Sequence, residues 1–307
     1  MKIFYSLLTG VVLTTVVFTL LFGFKTNEIT DDKSVNQLIA TQPEVPEELY
    51  LFGEKVPLEN FEVYERVDRE LVVNTYWHSS TILALKRAAR WFPVIEPILK
   101  KNNVPVDFKY IPVVESNLEN VVSPAGATGF WQFIKSAAVE YGLEVNEEVD
   151  ERYDVEKSTE AACKYLKDAY AKYGSWTMAA AAYNAGMNGI TKWSSIQKTN
   201  NYYNLTLGIE TSRYIARIAA IKIIMENPQK YGYYLREKDF YKPLKFTEVI
   251  LDSSVTDFAD YAASLGINYK TLKLFNPWLR DSSLKNKNGK RYTIKIPEEG
   301  SIVLIKE

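Results

Sequence analysis

The chain has 307 residues, 47% of them hydrophobic, which suffices for one substantial core and a small second module. Its formal net charge of −1 gives no electrostatic reason to expect a nucleic-acid partner. A single cysteine, Cys163, excludes an intrachain disulfide, and a single histidine, His78, removes a His-rich metal site and argues against Ser-His-Asp or Cys-His catalysis.

The chain begins with an uncharged apolar run from Ile3 to Phe24, preceded by Lys2. A membrane-spanning helix needs roughly 20 residues, whereas the apolar part of a signal peptide has about 7–15. Residues 1–25 are therefore expected to be an uncleaved membrane anchor, with a cleaved signal as the alternative. Either one places the remainder outside the cytoplasmic membrane. Residues 26–59, polar and carrying Pro43, Pro46 and Pro57, are expected to form a linker.

A helical domain is predicted over 60–235. Phe61 to Lys101 is helical in pattern, with Trp77, Ile82, Leu85, Ala88, Trp91 and Phe92 as core candidates. Pro93 and Pro97 mark helix starts or kinks within it. Further helices are expected over 107–115, 136–141, 155–173, 176–185 and 210–226. Ser158, with Glu160 nearby, suits a helix N-terminus. Cys163 falls in a helical apolar pattern and is expected to be buried and inert. Alanines 179–182 make a slim helix that other backbones can approach, and Gly186 suits its C-cap. Over 244–299 the pattern changes to strand 246–251, helix 255–265, helix 269–275 and strand 292–297. The fold class is thus mainly α: an all-α domain followed by a small α+β module of βααβ order.

Glu115 carries the chemistry. Phe108, Ile111, Glu115 and Leu118 are spaced as one helical stripe, and the other three are large and apolar. A carboxyl group in such a stripe is desolvated, so its pKa rises and it can serve as a general acid. The structural alternative is a core-edge glutamate bonded to a backbone N–H or an arginine. Three further segments follow it. The first is the Gly-rich loop 123–129 leading into Phe130-Trp131-Gln132-Phe133. Its glycines permit close backbone approach, and Gln132 offers a donor and an acceptor to a sugar hydroxyl or N-acetyl group. The second is Ala182-Tyr183-Asn184-Ala185-Gly186, and the third is Glu210-Thr211-Ser212-Arg213-Tyr214.

These four segments, in this order, resemble the family 1 lytic transglycosylases, enzymes that cleave the glycan strands of peptidoglycan. The family's Glu-Ser pair matches Glu115-Ser116. Its Gly-x-x-Gln segment matches Gly129 to Gln132, its Ala-Tyr-Asn-x-Gly matches 182–186, and its final Tyr matches Tyr214. The resemblance implies a lysozyme-like fold with a motif core over 104–226, a location on the periplasmic side of the cell envelope, and no metal or cofactor. It implies Glu115 as acid and then base, closing the muramoyl C6 hydroxyl onto C1 to leave a 1,6-anhydro end. Ser123, Gln132 and the backbone at Gly129 are expected at the sugar. Tyr183 and Asn184 are expected to contact the N-acetylmuramoyl unit or to hold the wall of the site. Glu210 is expected to bind or orient substrate, and Tyr214 to position Glu115. Ser116 is expected at the substrate, or bonded to local backbone at its helix end. Arg213 steers peptide carboxylates or is solvated. Glu119 is expected to be a solvated turn residue. The C-terminal module resembles LysM, which binds N-acetylglucosamine polymers, but Asp252-Ser253-Ser254 replaces the usual Gly-Asp-Thr. A hydrolytic muramidase with a second carboxylate and a non-catalytic wall-binding protein are the alternatives in function.

Overall fold

The computed structural model describes residues 41–301. The expected anchor at 3–24 and most of the expected linker lie outside them. Among the described residues no helix is long and apolar enough to cross a membrane.

Ten α-helices form among the described residues, with two small two-stranded sheets. Helix α1 (Phe61–Tyr76) is capped by Asn60, whose side chain accepts from the Glu62 N–H. It buries Val63, Val67, Glu70, Leu71 and Asn74, one stripe at helical spacing. Helix α2 (His78–Lys101) runs unbroken through Pro93 and Pro97. No helix start occurs at either proline. Both prolines are exposed and four residues apart, so the carbonyls they leave unpaired face water. Trp77 and Ile82, expected in the core, are instead exposed, because the α1–α2 junction at Trp77 turns toward solvent.

A 3₁₀ turn (Val106–Tyr110) leads into the short helix α3 (Ile111–Ser116), and α4 spans Lys135–Glu140. Helix α5 (Val155–Tyr173) starts one turn before Ser158. Its N-cap is Asp154, which accepts from the Lys157 N–H at 3.0 Å, while Ser158 bonds back to the Asp154 carbonyl. Cys163 is buried, as its pattern predicts, and burial pushes its thiol pKa up to about 12. Helix α6 (Trp176–Ala185) buries Ala179 to Ala182 completely and ends at Gly186, at φ +76°. Helix α7 (Met187–Gln197) is an addition to the expected elements. It buries only Ile190 and Ser194 and so lacks the apolar stripe that betrays a helix in sequence. Helix α8 (Ile209–Glu226) is largely buried and packs along α1.

The end of the expected linker belongs to the core. Leu49, Leu51, Phe52 and Val56 are all buried. Strands β1 (Tyr50–Leu51) and β2 (Glu54–Lys55) pair across a turn at Phe52-Gly53, where both residues have positive φ. Glu54 then caps α6. Its carboxylate accepts from the N–H groups of Trp176 (2.7 Å) and Thr177 (2.9 Å), and from the hydroxyls of Ser175 and Thr177. Burial alone would raise the Glu54 pKa, but these hydrogen bonds outweigh it and hold the group below its usual value.

The C-terminal module has the expected βααβ order. Strand β3 (Phe246–Leu251) runs antiparallel to β4 (Tyr292–Pro297), with Val249 opposite Ile294. Helices α9 (Phe258–Ser264) and α10 (Tyr269–Phe275) cover the sheet. Helix α9 is shorter than the expected 255–265 because Asp257 caps it at the Ala259 N–H, leaving Val255 to bridge Leu284. Asn276 is fully buried and ties the end of α10 to β4, donating to the Lys295 carbonyl and accepting from its N–H, each at 2.8 Å.

Candidate active site

Helix α3 presents Glu115 near its C-terminal end. Pro112 in its first turn suits a helix start, and the chain reverses directly after Ser116. Asn117 and Leu118 are both left-handed, at φ +53° and +56°. Such backbone costs a non-glycine residue roughly 1–2 kcal/mol. The site offsets that cost. The Asn117 carbonyl accepts from Arg87 at 3.2 Å, and Leu118 is buried in the core. The stripe read in sequence therefore spans a 3₁₀ turn, one short helix and a reversal. Phe108, Ile111 and Leu118 are nonetheless all buried.

The Glu115 side chain is mostly buried. One oxygen, Oε1, accepts a hydrogen bond from the Tyr214 hydroxyl at 2.6 Å, and Glu115 forms no ion pair among the described residues. Burial raises its pKa above the ordinary carboxyl value. The Tyr214 hydrogen bond opposes this, the charge of Glu210 adds to it, and Arg217 opposes it. Tyr214 and Tyr183 lie close enough to Glu115 for its charge, together with their own burial, to push both phenols far above their usual pKa. Both hydroxyls thus stay protonated and act as donors.

Most of the residues singled out in sequence form one connected framework. Ser116 is buried and its hydroxyl lies 2.9 Å from the carbonyls of both Pro112 and Phe130. Its hydroxyl is bonded to backbone and ties the end of α3 to the 129–132 segment. The Tyr183 hydroxyl donates to the Trp131 carbonyl at 2.7 Å. Gln132, itself left-handed at φ +50°, donates its amide N–H to the carbonyls of Gly129 (2.8 Å) and Val121 (3.0 Å), with no hydrogen bond to its side-chain carbonyl among the described residues. Two side chains from two helices, Ser116 of α3 and Tyr183 of α6, therefore hold the single segment 129–132, and Gln132 closes it from within. Gly129, at φ +82°, has no room for a side chain, since a Cβ there would lie 2.0 Å from the Arg152 carbonyl oxygen. Ser123 accepts from the Ala127 N–H at 3.0 Å and closes the Gly-rich turn.

Asn184 accepts from the Thr211 hydroxyl at 2.8 Å, tying the end of α6 to the first turn of α8. Glu210 is exposed in that same turn. Glu119 is exposed and pairs with Arg87. Arg213 is not simply solvated. Its Nε donates at 2.7 Å to Glu70, a glutamate 1% exposed on α1. Glu70 and Arg217 escaped the sequence reading, although Glu70 shares the stripe of Val63, Val67, Leu71 and Asn74, the same signal that marks Glu115. Asp150 and Arg152 escaped it too, since a buried pair two residues apart in a loop has no periodic signature. Among the described residues no cluster of three or more metal-ligand side chains forms.

Family models match two stretches. Residues 92–206 match the transglycosylase SLT domain, and residues 247–300 match the soluble lytic transglycosylase C-terminal LysM-like domain. The chain is 31% identical over 232 residues to the membrane-bound lytic murein transglycosylase D of Escherichia coli strain K12, and equally to that of Escherichia coli O6:H1 strain CFT073. Each alignment covers 74% of this chain and 50% of the relative, so the chain spans half the length of these relatives. A helical domain built around Glu115 and a βααβ module of the expected order agree with both matches. The chain therefore combines a transglycosylase SLT domain with a C-terminal LysM-like domain.

Proposed function

We propose that this chain cleaves peptidoglycan glycan strands as a lytic transglycosylase, with Glu115 serving first as acid and then as base. The observation that carries this reading is a desolvated carboxyl group held by a neutral donor, the Tyr214 hydroxyl, with no ion pair among the described residues. Tyr214 occupies Oε1, so Oε2 remains to hold and deliver the proton.

In the first step Glu115 protonates the oxygen bridging N-acetylmuramic acid and N-acetylglucosamine, and the C1–O bond breaks. Positive charge at C1 is shared with the substrate's own N-acetyl oxygen. The glutamate, now ionised and stabilised by the Tyr214 hydrogen bond, takes the proton from the muramoyl C6 hydroxyl. O6 then bonds to C1, leaving a 1,6-anhydro end and a glutamic acid ready for another cycle. The C6 hydroxyl replaces water and gains from its tethering to the reacting ring. Gln132 offers its side-chain carbonyl to a sugar N–H or hydroxyl, and Asn184 offers its side-chain N–H groups. The relatives' names support a place in the cell envelope, with the 3–24 segment as the membrane tether.

A hydrolytic course would need a second carboxylate as base or nucleophile. Glu210 is the candidate, since its charge reaches Glu115, but it is exposed at the start of α8. Mass spectrometry of peptidoglycan digested by the full chain separates the two courses. Anhydro-muropeptides from the wild type and none from Glu115→Gln are expected. Reducing-end products that depend on Glu210 would replace the transglycosylase reading by the hydrolytic one.

A further inference from the structure

The segment 144–153 of the SLT domain belongs to two packing systems at once. On one side Val149 is fully buried in the hydrophobic core of the C-terminal module, beside Leu251, Phe258, Trp278 and Leu279. The backbone joins there as well. The Asp150 N–H donates to the Trp278 carbonyl at 2.9 Å, Val149 bridges Leu279, and the Arg280 N–H donates to the Glu148 carbonyl at 2.8 Å. The Arg280 guanidinium lies 3.9 Å from the centre of the Tyr153 ring.

On the other side the same segment holds the Gly-rich loop. Asp150 grips Arg152 through two oxygens, at 2.9 Å to Nε and 2.7 Å to Nη2, and both side chains are about nine-tenths buried. The remaining guanidinium nitrogen, Nη1, donates to the carbonyls of Gly126 (3.1 Å) and Phe133 (3.2 Å), the two ends of the loop segment. The Arg152 carbonyl fills the space that a side chain at Gly129 would need. The Tyr153 carbonyl accepts from Asn120, just before the Val121 carbonyl that Gln132 uses.

We propose that the C-terminal module braces the catalytic loop, with Arg152 as the positioning residue that carries the coupling. Docking of the module orders 148–150, Asp150 orients Arg152, and Arg152 sets the loop whose segment 129–132 is held by Ser116 and Tyr183. A forked guanidinium fits this task because it bonds a carboxylate and two carbonyls in fixed directions, which a lysine cannot do. The module thereby has a role independent of any sugar it binds. Its catalytic consequence rests on the function proposed above, but the coupling itself does not.

The test is hydrogen exchange on the full chain. Trp278→Ala loosens the module. Arg280→Ala removes the contact with Tyr153 and a side-chain hydrogen bond to the Pro277 carbonyl but keeps the backbone bond to Glu148. Arg152→Lys cuts the link while leaving the module docked. The amides of Ser123, Thr128, Gly129 and Gln132 are bonded within the loop and report on it. Trp278→Ala and Arg152→Lys are expected to quicken exchange across 121–133 about tenfold or more, Arg280→Ala less, with α6 amides at the wild-type rate in all three. On a short soluble glycan, Arg152→Lys should lower kcat by about 10- to 100-fold with KM within about twofold, as misplacement of a catalytic framework does. Faster exchange over 255–275 in Trp278→Ala with 121–133 unchanged would overturn the brace, as would an unchanged loop in Arg152→Lys. Quickened loop exchange supports it even if the wild type cleaves no glycan, a result that would overturn the functional reading alone.

Discussion

Two glutamates meet helix α8 from different sides, and their surroundings could hardly differ more. Glu70, on α1, is 1% exposed and has Arg69, Arg213 and Arg217 within ion-pair distance, at 2.6, 2.7 and 3.5 Å. Glu115, on α3, accepts a hydrogen bond from the Tyr214 hydroxyl and forms no ion pair among the described residues. Arg213, Tyr214 and Arg217 lie within two turns of one helix, so a single element supplies both environments. Each glutamate stands in an apolar stripe in sequence. What separates them is the partner. Cations around a buried carboxylate make a fixed structural charge, and a neutral donor leaves a carboxyl group whose proton can come and go.

The sharpest way to break this contrast is to remove each carboxylate's charge while keeping its shape. Glu115→Gln should lower glycan cleavage on the order of 10³-fold, within the usual range for loss of a general acid. Its thermal stability should match or exceed the wild type. The sign follows from the raised pKa: a carboxyl group that prefers its proton in the folded state costs stability as pH rises through that pKa, and glutamine does not ionise. The stability advantage of the variant should therefore widen with pH. A loop variant comes next. Gly129→Ala should abolish most activity and lower the melting temperature, because its Cβ has no space beside the Arg152 carbonyl. Soluble, fully active protein would show that the loop closes differently.

Glu70→Gln should show the reverse of Glu115→Gln. It should cost about 3 kcal/mol in a urea titration, near the low end for breaking a buried pair because its arginines reach partly into solvent. Its activity on intact protein should fall far less than that of Glu115→Gln. Tyr214→Phe refines the Glu115 side of the comparison. Loss of one hydrogen bond to the ionised glutamate should lower kcat roughly tenfold. That bond lowers the Glu115 pKa, so the alkaline limb of kcat/KM should move to higher pH in the variant. Glu54→Gln should have the smallest effect, about 1 kcal/mol, as a helix-capping carboxylate. Its pKa is held low, so its stabilisation is present above the unfolded-state pKa and fades as pH falls through the folded one. The difference between Glu54→Gln and wild type should vanish in acid.

How legible these features were depends on periodicity. The long helices α5, α6 and α8 and the βααβ module carry regular apolar spacing, and sequence places them to within a few residues. The hairpin over 50–55 has two-residue strands, and its buried residues are scattered among prolines and charges, so it passes for a linker. Helix α7 buries too little to show a stripe. Pro93 and Pro97 mislead because the buried Ile95 and Leu99 anchor the same stretch of helix, and tertiary packing outweighs a local proline penalty. Within the site, Glu115, Tyr183, Gln132 and Tyr214 stand out by resemblance and by local spacing. The places of Ser116 and Gln132 in the loop depend on hydrogen bonds across 14 and 11 residues of sequence, which spacing does not encode. Glu70 carried the right signal, but two of its three arginine partners, Arg213 and Arg217, lie more than 140 residues away.

The most direct test is a titration of the Glu115 carboxyl group itself. Carbon-13 NMR of protein labelled at glutamate side-chain carboxyls, with Glu115→Gln identifying the resonance, follows that one proton. Glu115 should keep its proton to higher pH than the exposed glutamates, and Tyr214→Phe should extend the range further. A Glu115 resonance that titrates together with the surface glutamates would contradict the account, because a carboxyl group already ionised with them has no proton to give.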